Sequence, residues 1–80
     1  MINVQIQYFA ILREQRGVAQ EQVQTVAATP GDLYEELRAK YPFTLPANRI
    51  RAAVNDAFVP ADQPLREGDR VVFIPPVAGG

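Results

Sequence analysis

Apolar and polar residues alternate at the head of the chain, with Ile2, Val4, Ile6 and Tyr8 on one parity and Asn3, Gln5 and Gln7 on the other. A period of two places every second side chain on the same face, so this stretch reads as a strand with one apolar side. Alternation breaks at Phe9. Ala10, Ile11 and Leu12 run into Arg13, Glu14, Gln15 and Arg16, which reads as a short helical turn that Gly17 ends in a left-handed conformation. The charges here are most simply a solvated face, with a role for Arg13 in partner binding as the alternative. Glu21 to Val26 reads as a second strand, polar for the most part, with Val23 and Thr25 on one side. Thr29-Pro30-Gly31-Asp32 has the chemistry of a helix start. A threonine hydroxyl caps, proline suits the first helical position, and a carboxylate in the first turn complements the helix dipole. Leu33, Tyr34, Leu37 and Tyr41 follow at helical spacing, Glu36 and Lys40 form an i,i+4 pair on the exposed side, and Pro42 stops the helix.

The remainder is strand and turn. Phe43 to Asn48 is rich in turn formers, Arg49 to Val54 reads as a third strand, and Asn55-Asp56 turns into a short fourth strand, Ala57 to Val59. Pro60 ends that strand or confines it to a sheet edge. The segment from Ala61 to Leu65 is a tight connection, read as a turn of 3₁₀ helix with Leu65 inward. Glu67-Gly68-Asp69 is a turn that needs positive φ at Gly68. Arg70 to Ile74 is the last strand. Val71, Val72, Phe73 and Ile74 are apolar without a break, so both faces are covered, or one is covered only by a partner. The strongest apolar strand belongs at the centre, beside the first strand, and the helix-containing crossover between them allows parallel pairing. The expected fold is therefore α+β: a mixed sheet of about five strands gripping one main helix, the β-grasp. One helix covers one face of the sheet. Phe9, Phe58 and the Val71/Phe73 side are the candidates for an apolar docking patch on what is left uncovered; scattered surface hydrophobes are the alternative.

Composition narrows the function. An 80-residue chain has room for one domain with a small core. Hydrophobic residues make up 48% and charged residues 21%, ordinary for a globular domain. The chain contains no cysteine, no histidine and no serine. A self-contained acid–base or nucleophilic site is hard to build without them. Metal binding through thiolate or imidazole is excluded as well, and the acidic residues lack calcium-loop spacing. A net charge of −1 without a basic cluster argues against nucleic acid as a partner. No apolar run approaches membrane-spanning length and the N-terminus does not read as a signal peptide, so no membrane partner is expected and the cytoplasm is the expected location.

What remains is the end of the chain, Phe73-Ile74-Pro75-Pro76-Val77-Ala78-Gly79-Gly80. A diglycine packs nothing and is costly to order. Without a Cβ on either residue it threads a narrow channel, and the carboxylate of Gly80 is unhindered. The prolines carry no N–H, so they end sheet pairing and stiffen the exit from the body. The expected organisation is a folded domain over residues 1–76 and a flexible tail over 77–80. A frayed terminus that happens to end in glycine is the bland alternative.

In these residues the chain resembles the small, sulfur-carrier subunits of molybdopterin synthases, which are ubiquitin-like β-grasp proteins. The likeness spans the chain and rests on Phe9-Ala10, Arg13-Glu14 and Gly17, on Ala53-Val54-Asn55, Pro64-Leu65 and Gly68-Asp69, and above all on the ending from Phe73 to Gly80. The resemblance implies that an E1-like adenylyltransferase activates the Gly80 carboxylate with ATP. A sulfur donor protein then converts it to a thiocarboxylate. The tail, with Phe73, Pro75, Pro76, Val77, Ala78 and Gly79 as contact residues, enters the large synthase subunit and delivers sulfur to cyclic pyranopterin monophosphate. No cofactor is expected on the chain itself; ATP is used by the activating enzyme. The alternatives are a carrier for thiamine thiazole synthesis, a ubiquitin-like protein modifier, and a pure binding module.

Overall fold

The computed structural model describes residues 1–76; Val77, Ala78, Gly79 and Gly80 lie outside the described residues. Five strands and two α-helices follow one another as β1 (Ile2–Tyr8), α1 (Ala10–Arg16), β2 (Gln20–Thr25), α2 (Pro30–Lys40), β3 (Arg51–Val54), β4 (Ala57–Val59) and β5 (Arg70–Ile74), with a 3₁₀ turn at Ala47–Arg49. The strands form one sheet in the order β2-β1-β5-β3-β4. The β1/β5 pair is parallel, while β1/β2, β3/β5 and β3/β4 are antiparallel. The last strand thus lies at the centre against the first, and the mixed sheet holds α2 against one face, the β-grasp arrangement expected from the pattern.

Parity decides what faces the helix. Val4, Ile6 and Tyr8 of β1, Val71 and Phe73 of β5 and Ala52 of β3 pack in one cluster with Leu33, Tyr34 and Leu37 of α2. Phe43, in the loop after α2, closes that core: its ring stacks on Tyr34 at 5.7 Å between centroids and meets Tyr8 at the same distance, tilted. The start of α2 is built as its sequence predicts. Thr29 Oγ1 accepts from the Asp32 N–H at 3.1 Å and Pro30 occupies the first turn. The left-handed backbone at Gly17 (φ 90°) and Gly68 (φ 85°) is likewise as expected.

Four local expectations are corrected. The third strand begins at Arg51 rather than Arg49, because the chain leaving Pro46 tightens into the 3₁₀ turn, where Arg49 N–H donates to Pro46 O at 3.0 Å. The segment after Pro60 is a single turn, closed by Gln63 N–H on Pro60 O at 3.1 Å, and not a 3₁₀ helix; Leu65 does pack on the core. Glu36 turns towards β2 and accepts from the buried Thr25 hydroxyl at 2.5 Å, rather than pairing with Lys40 along the helix. Val71 and Phe73, offered as parts of a docking patch and a contact tail, are 0% and 1% exposed. Their pairing with Ile6 and Tyr8 puts them on the helix side of the sheet.

Candidate functional site

The site is assembled where the central strand ends. β5 is hydrogen-bonded on both sides, to β1 and to β3. Its last residue, Ile74, hands over to Pro75 and Pro76, which have no N–H with which to extend the ladder. At that point the chain leaves the sheet beside α1. Ile74, Pro75 and Pro76 form one flank of a groove of about 830 Å³. Phe9, Ala10 and Ile11 give it an apolar flank at the start of α1, Arg13 and Glu14 of the same helix line it too, and Leu45 completes the lining. Phe9 and Ile11 are 42% and 39% exposed. Nothing among the described residues covers them.

A strained turn creates this exposure. Ala10 has φ 51°, in the left-handed region that a residue with a Cβ enters at a cost of roughly 1–2 kcal/mol. The Leu12 N–H donates to Phe9 O at 3.1 Å, closing the turn. Leu12 enters the core with no exposed surface while its neighbours Phe9 and Ile11 stay outside. One side of a helix this short buries one large residue, and the rest of the apolar run is displayed beside the tail root.

On the sheet face away from α2, Val72 and Ala53 are themselves buried, each 8% exposed, and Phe58 is the exposed large hydrophobic. Val72 and Ile74 of β5 point there, together with Ala53, Arg51 and, on the edge strand, Phe58. Phe58 is 59% exposed, and the Arg51 guanidinium lies 4.4 Å from its ring centroid, a cation–π contact that covers part of the ring. The other half of this face is built of amides. Asn3, Gln5 and Gln7 lie directly opposite Gln24, Gln22 and Gln20. The outer face thus divides into a half on β5, β3 and β4 that mixes apolar residues with Arg51 and Arg70 and a polar, uncharged half on β1 and β2.

Of the expected site residues, Pro75 and Pro76 line the groove together with Phe9. Phe58 is exposed on the outer face and does not line the groove; Phe73 and Val71 belong to the core. Val77, Ala78, Gly79 and Gly80 fall outside the described residues. The sequence reading missed Ile11, Glu14, Leu45 and Ile74 as groove residues. The signal for Ile11 was present: four apolar residues in a row, Phe9 to Leu12, exceed what one face of a short helix buries.

Among the described residues no group of three or more acidic side chains is placed to hold a metal ion, and no helix is long and apolar enough to cross a membrane. Arg13 and Glu14 line the groove, while two titratable side chains outside its lining, Glu21 and Tyr8, are engaged in structure. Glu21 is held below the usual carboxylate range, chiefly by its hydrogen bonds from Arg16 and against the opposing effect of burial. The Tyr8 hydroxyl is pushed well above its ordinary value, first by burial and then by its hydrogen bond to Glu21. Neither is free to act as an acid or base. The described residues thus present a groove with an apolar lining at the point where the chain leaves the sheet.

The molybdopterin synthase sulfur carrier subunit of Mycobacterium tuberculosis is 39% identical over 83 aligned positions, covering the whole of both chains. The subunit of the same name from Escherichia coli is 34% identical, over 96% of this chain and 99% of that one. Among solved structures, a putative molybdopterin converting factor subunit 1 from Pyrococcus furiosus superposes with a TM-score of 0.77 at 27% identity, over 96% of this chain and all of the other. The model of the ThiS family matches residues 6–80, from the middle of β1 to the final glycine, and the chain belongs to that family.

Proposed function

We propose that this chain is the sulfur-carrying small subunit of a molybdopterin synthase, with the Gly80 carboxylate as the group that carries the sulfur. The observation that carries the reading is the alignment with relatives of that name over all of this chain in one case and 96% of it in the other, together with a family match that runs to Gly80. The fold supports it by ending in a central strand, two prolines and an apolar groove.

The chemistry follows from what a carboxylate lacks. It is a poor electrophile because its charge is delocalised and its leaving group would be oxide. An E1-like adenylyltransferase supplies the remedy: the Gly80 carboxylate oxygen attacks the α-phosphate of ATP, pyrophosphate leaves, and an acyl-adenylate forms. A persulfide on a donor protein then attacks the acyl carbon and expels AMP to give an acyl disulfide, and a thiol reductant cleaves the S–S bond, forming its own disulfide with the donor sulfur and leaving a thiocarboxylate at Gly80. Ionised at neutral pH, the thiocarboxylate is the nucleophile that delivers sulfur to cyclic pyranopterin monophosphate inside the large synthase subunit. Each step needs a dry, preorganised site, which the partners provide. This chain contributes the guided terminus and the surface that docks beside it. The lack of cysteine leaves no thiol of its own to intercept the activated carbonyl.

Intact mass tests the proposal. Untagged protein incubated with ATP, an E1-like activating enzyme and a sulfur source gains one sulfur in place of one oxygen. Gly80→Ala, or a tag fused after Gly80, abolishes sulfur transfer while the unfolding transition is unchanged. Transfer retained by the tagged protein overturns the reading.

A further inference from the structure

A helix of seven residues does not hold itself together in water. α1 therefore depends on what its side chains grip: Leu12 anchors it in the core, and its polar grip is concentrated at one end. At its start, Phe9 provides no side-chain cap and Ala10 is strained. At its end, Gln15 Nε2 donates to Thr44 Oγ1 at 3.0 Å while the Thr44 N–H donates back to Gln15 Oε1 at 3.2 Å. The last residue, Arg16, meets Glu21 of β2 through two parallel bonds, Nε to Oε2 at 2.9 Å and Nη2 to Oε1 at 2.7 Å. The guanidinium lies 4.0 Å from the Tyr41 ring centroid, and Glu21 Oε2 also accepts the Tyr8 hydroxyl at 2.7 Å.

This pair differs from the other ion pairs of the described chain. The side chains of Arg16 and Glu21 are 22% and 17% exposed, against 38% and 57% for Arg38 with Glu35 and 45% and 77% for Arg70 with Asp56. A forked, partly buried pair fixes orientation as well as distance, and salt screens it weakly. It joins four parts of the fold: the end of β1 at Tyr8, the end of α1 at Arg16, the head of β2 at Glu21, and the residue capping α2 at Tyr41. The connection from α1 to β2, residues 17–19, is too short to need such a fastening for chain closure alone. The part of α1 that the fastening leaves free to meet a partner is the groove flank at the tail root, Phe9, Ile11, Arg13 and Glu14.

We propose that Arg16 and Glu21 are positioning residues for docking: with Tyr8 and Tyr41 they lock α1, and so set the flank of the groove against which a partner seats when it takes the tail. The identity of that partner, the large synthase subunit, rests on the function proposed above; the lock itself does not. Neither residue lines the groove, so its effect on binding is indirect and must pass through α1.

The test uses the full untagged chain with Glu21→Gln, which keeps the shape but removes the charge, and Arg16→Lys, which keeps the charge but removes the fork. In the free protein, amide exchange at Glu14 to Gly17 speeds up by about tenfold or more while β1, β3 and β5 keep their protection. Affinity for the large subunit, measured by calorimetry on folded protein, falls about tenfold. In a Phe9→Ala background the same substitutions change it by less than about twofold, because the flank they position has already lost its main contact. Faster exchange spread evenly over the sheet overturns the proposal, since the pair then serves only global stability. Unchanged exchange in α1 overturns it too, as does local loosening with affinity intact or with equal losses in both backgrounds. If the unsubstituted chain shows no affinity for the large subunit, the functional reading fails instead, and the exchange pattern alone decides the lock.

Discussion

Phe73 separates two accounts of the end of the chain. As a contact residue of the tail it would be dispensable for folding; as the structure places it, it is a central core residue. Its side chain is 1% exposed, it lies beside Tyr8 on the parallel strand, and its ring meets Tyr34 edge-on at 5.4 Å. Phe73→Leu keeps an apolar side chain of smaller volume and loses the aromatic pair. An aromatic pair contributes roughly 0.5–1.5 kcal/mol beyond its area, and imperfect repacking adds up to about 1.5 kcal/mol. The expected cost is therefore about 2 kcal/mol, and Phe73→Ala, which leaves a cavity, costs about 3–5 kcal/mol. Against the roughly 4–12 kcal/mol that 80 residues hold at about 0.05–0.15 kcal/mol each, the alanine variant sits near the edge of folding. Urea titration followed by far-ultraviolet circular dichroism reads the effect. With a slope of about 1 kcal/mol per molar, usual for a small chain, leucine lowers the midpoint by about 1–2 M at unchanged slope. Pro76→Ala, outside the core, leaves the midpoint within about 0.5 M. An unaltered midpoint in Phe73→Leu, together with lost binding to the large subunit, would refute the core assignment and return Phe73 to the tail.

The remaining predictions concern charge and backbone. The lowered pKa of Glu21 means that its folded form binds its proton less readily than the unfolded chain does. Its stabilising contribution is thus complete above the ordinary value of 4.5 and is lost as pH falls through the lower folded value. The gap in urea midpoint between the native chain and Glu21→Gln should therefore be widest above about pH 5 and narrow as pH falls below 4.5; a gap independent of pH would contradict this. Gly68 and Ala10 share a left-handed backbone, φ 85° and 51°, and should respond with opposite sign. Gly68→Ala, where an added Cβ meets nothing within 4 Å, destabilises by about 1 kcal/mol through conformation alone, and Ala10→Gly stabilises by a similar amount. Thermal unfolding of the two variants checks both, and shifts of the same sign would sink the argument.

The sequence showed most clearly the elements whose periodicity admits one reading. β1 alternates without a break, and α2 carries its start signal and its stripe in register. The fold followed, because one amphipathic helix and a strong apolar last strand leave few arrangements. The orientation of β5 was harder to read. A run of four apolar residues has no parity of its own, so Val71 and Phe73 could be assigned to either face. The parallel pairing with β1 fixes it, since Phe73 stands beside Tyr8, whose side was already known. The groove was hidden for another reason. Its flank depends on a non-glycine residue at positive φ and on contacts between residues far apart in sequence, such as Gln15 with Thr44. Propensity and spacing do not encode either. Glu36 failed similarly: the helical pair with Lys40 is a weak, exposed interaction, and the buried Thr25 hydroxyl, which needs an acceptor, takes the carboxylate instead.

A carrier whose chemistry is confined to its terminus has two conflicting needs: the end must enter other proteins, and the body must not move when it does. Placing the last strand at the centre of the sheet meets the second. β5 is bonded along both edges, so pulling the tail loads β1 and β3 together, whereas an edge strand would peel from one neighbour. Ending sheet pairing at Pro75 and Pro76 meets the first, because the ladder cannot propagate outward to capture the residues that follow. The fastening of α1 then extends the same logic sideways. The strained turn at Ala10 displays Phe9 and Ile11 beside the exit, and the Arg16–Glu21 pair keeps the display in register with it. In the function proposed above, the diglycine relies on a fold that fixes where the tail begins, through the core residues of β5 and the ion pair that holds α1.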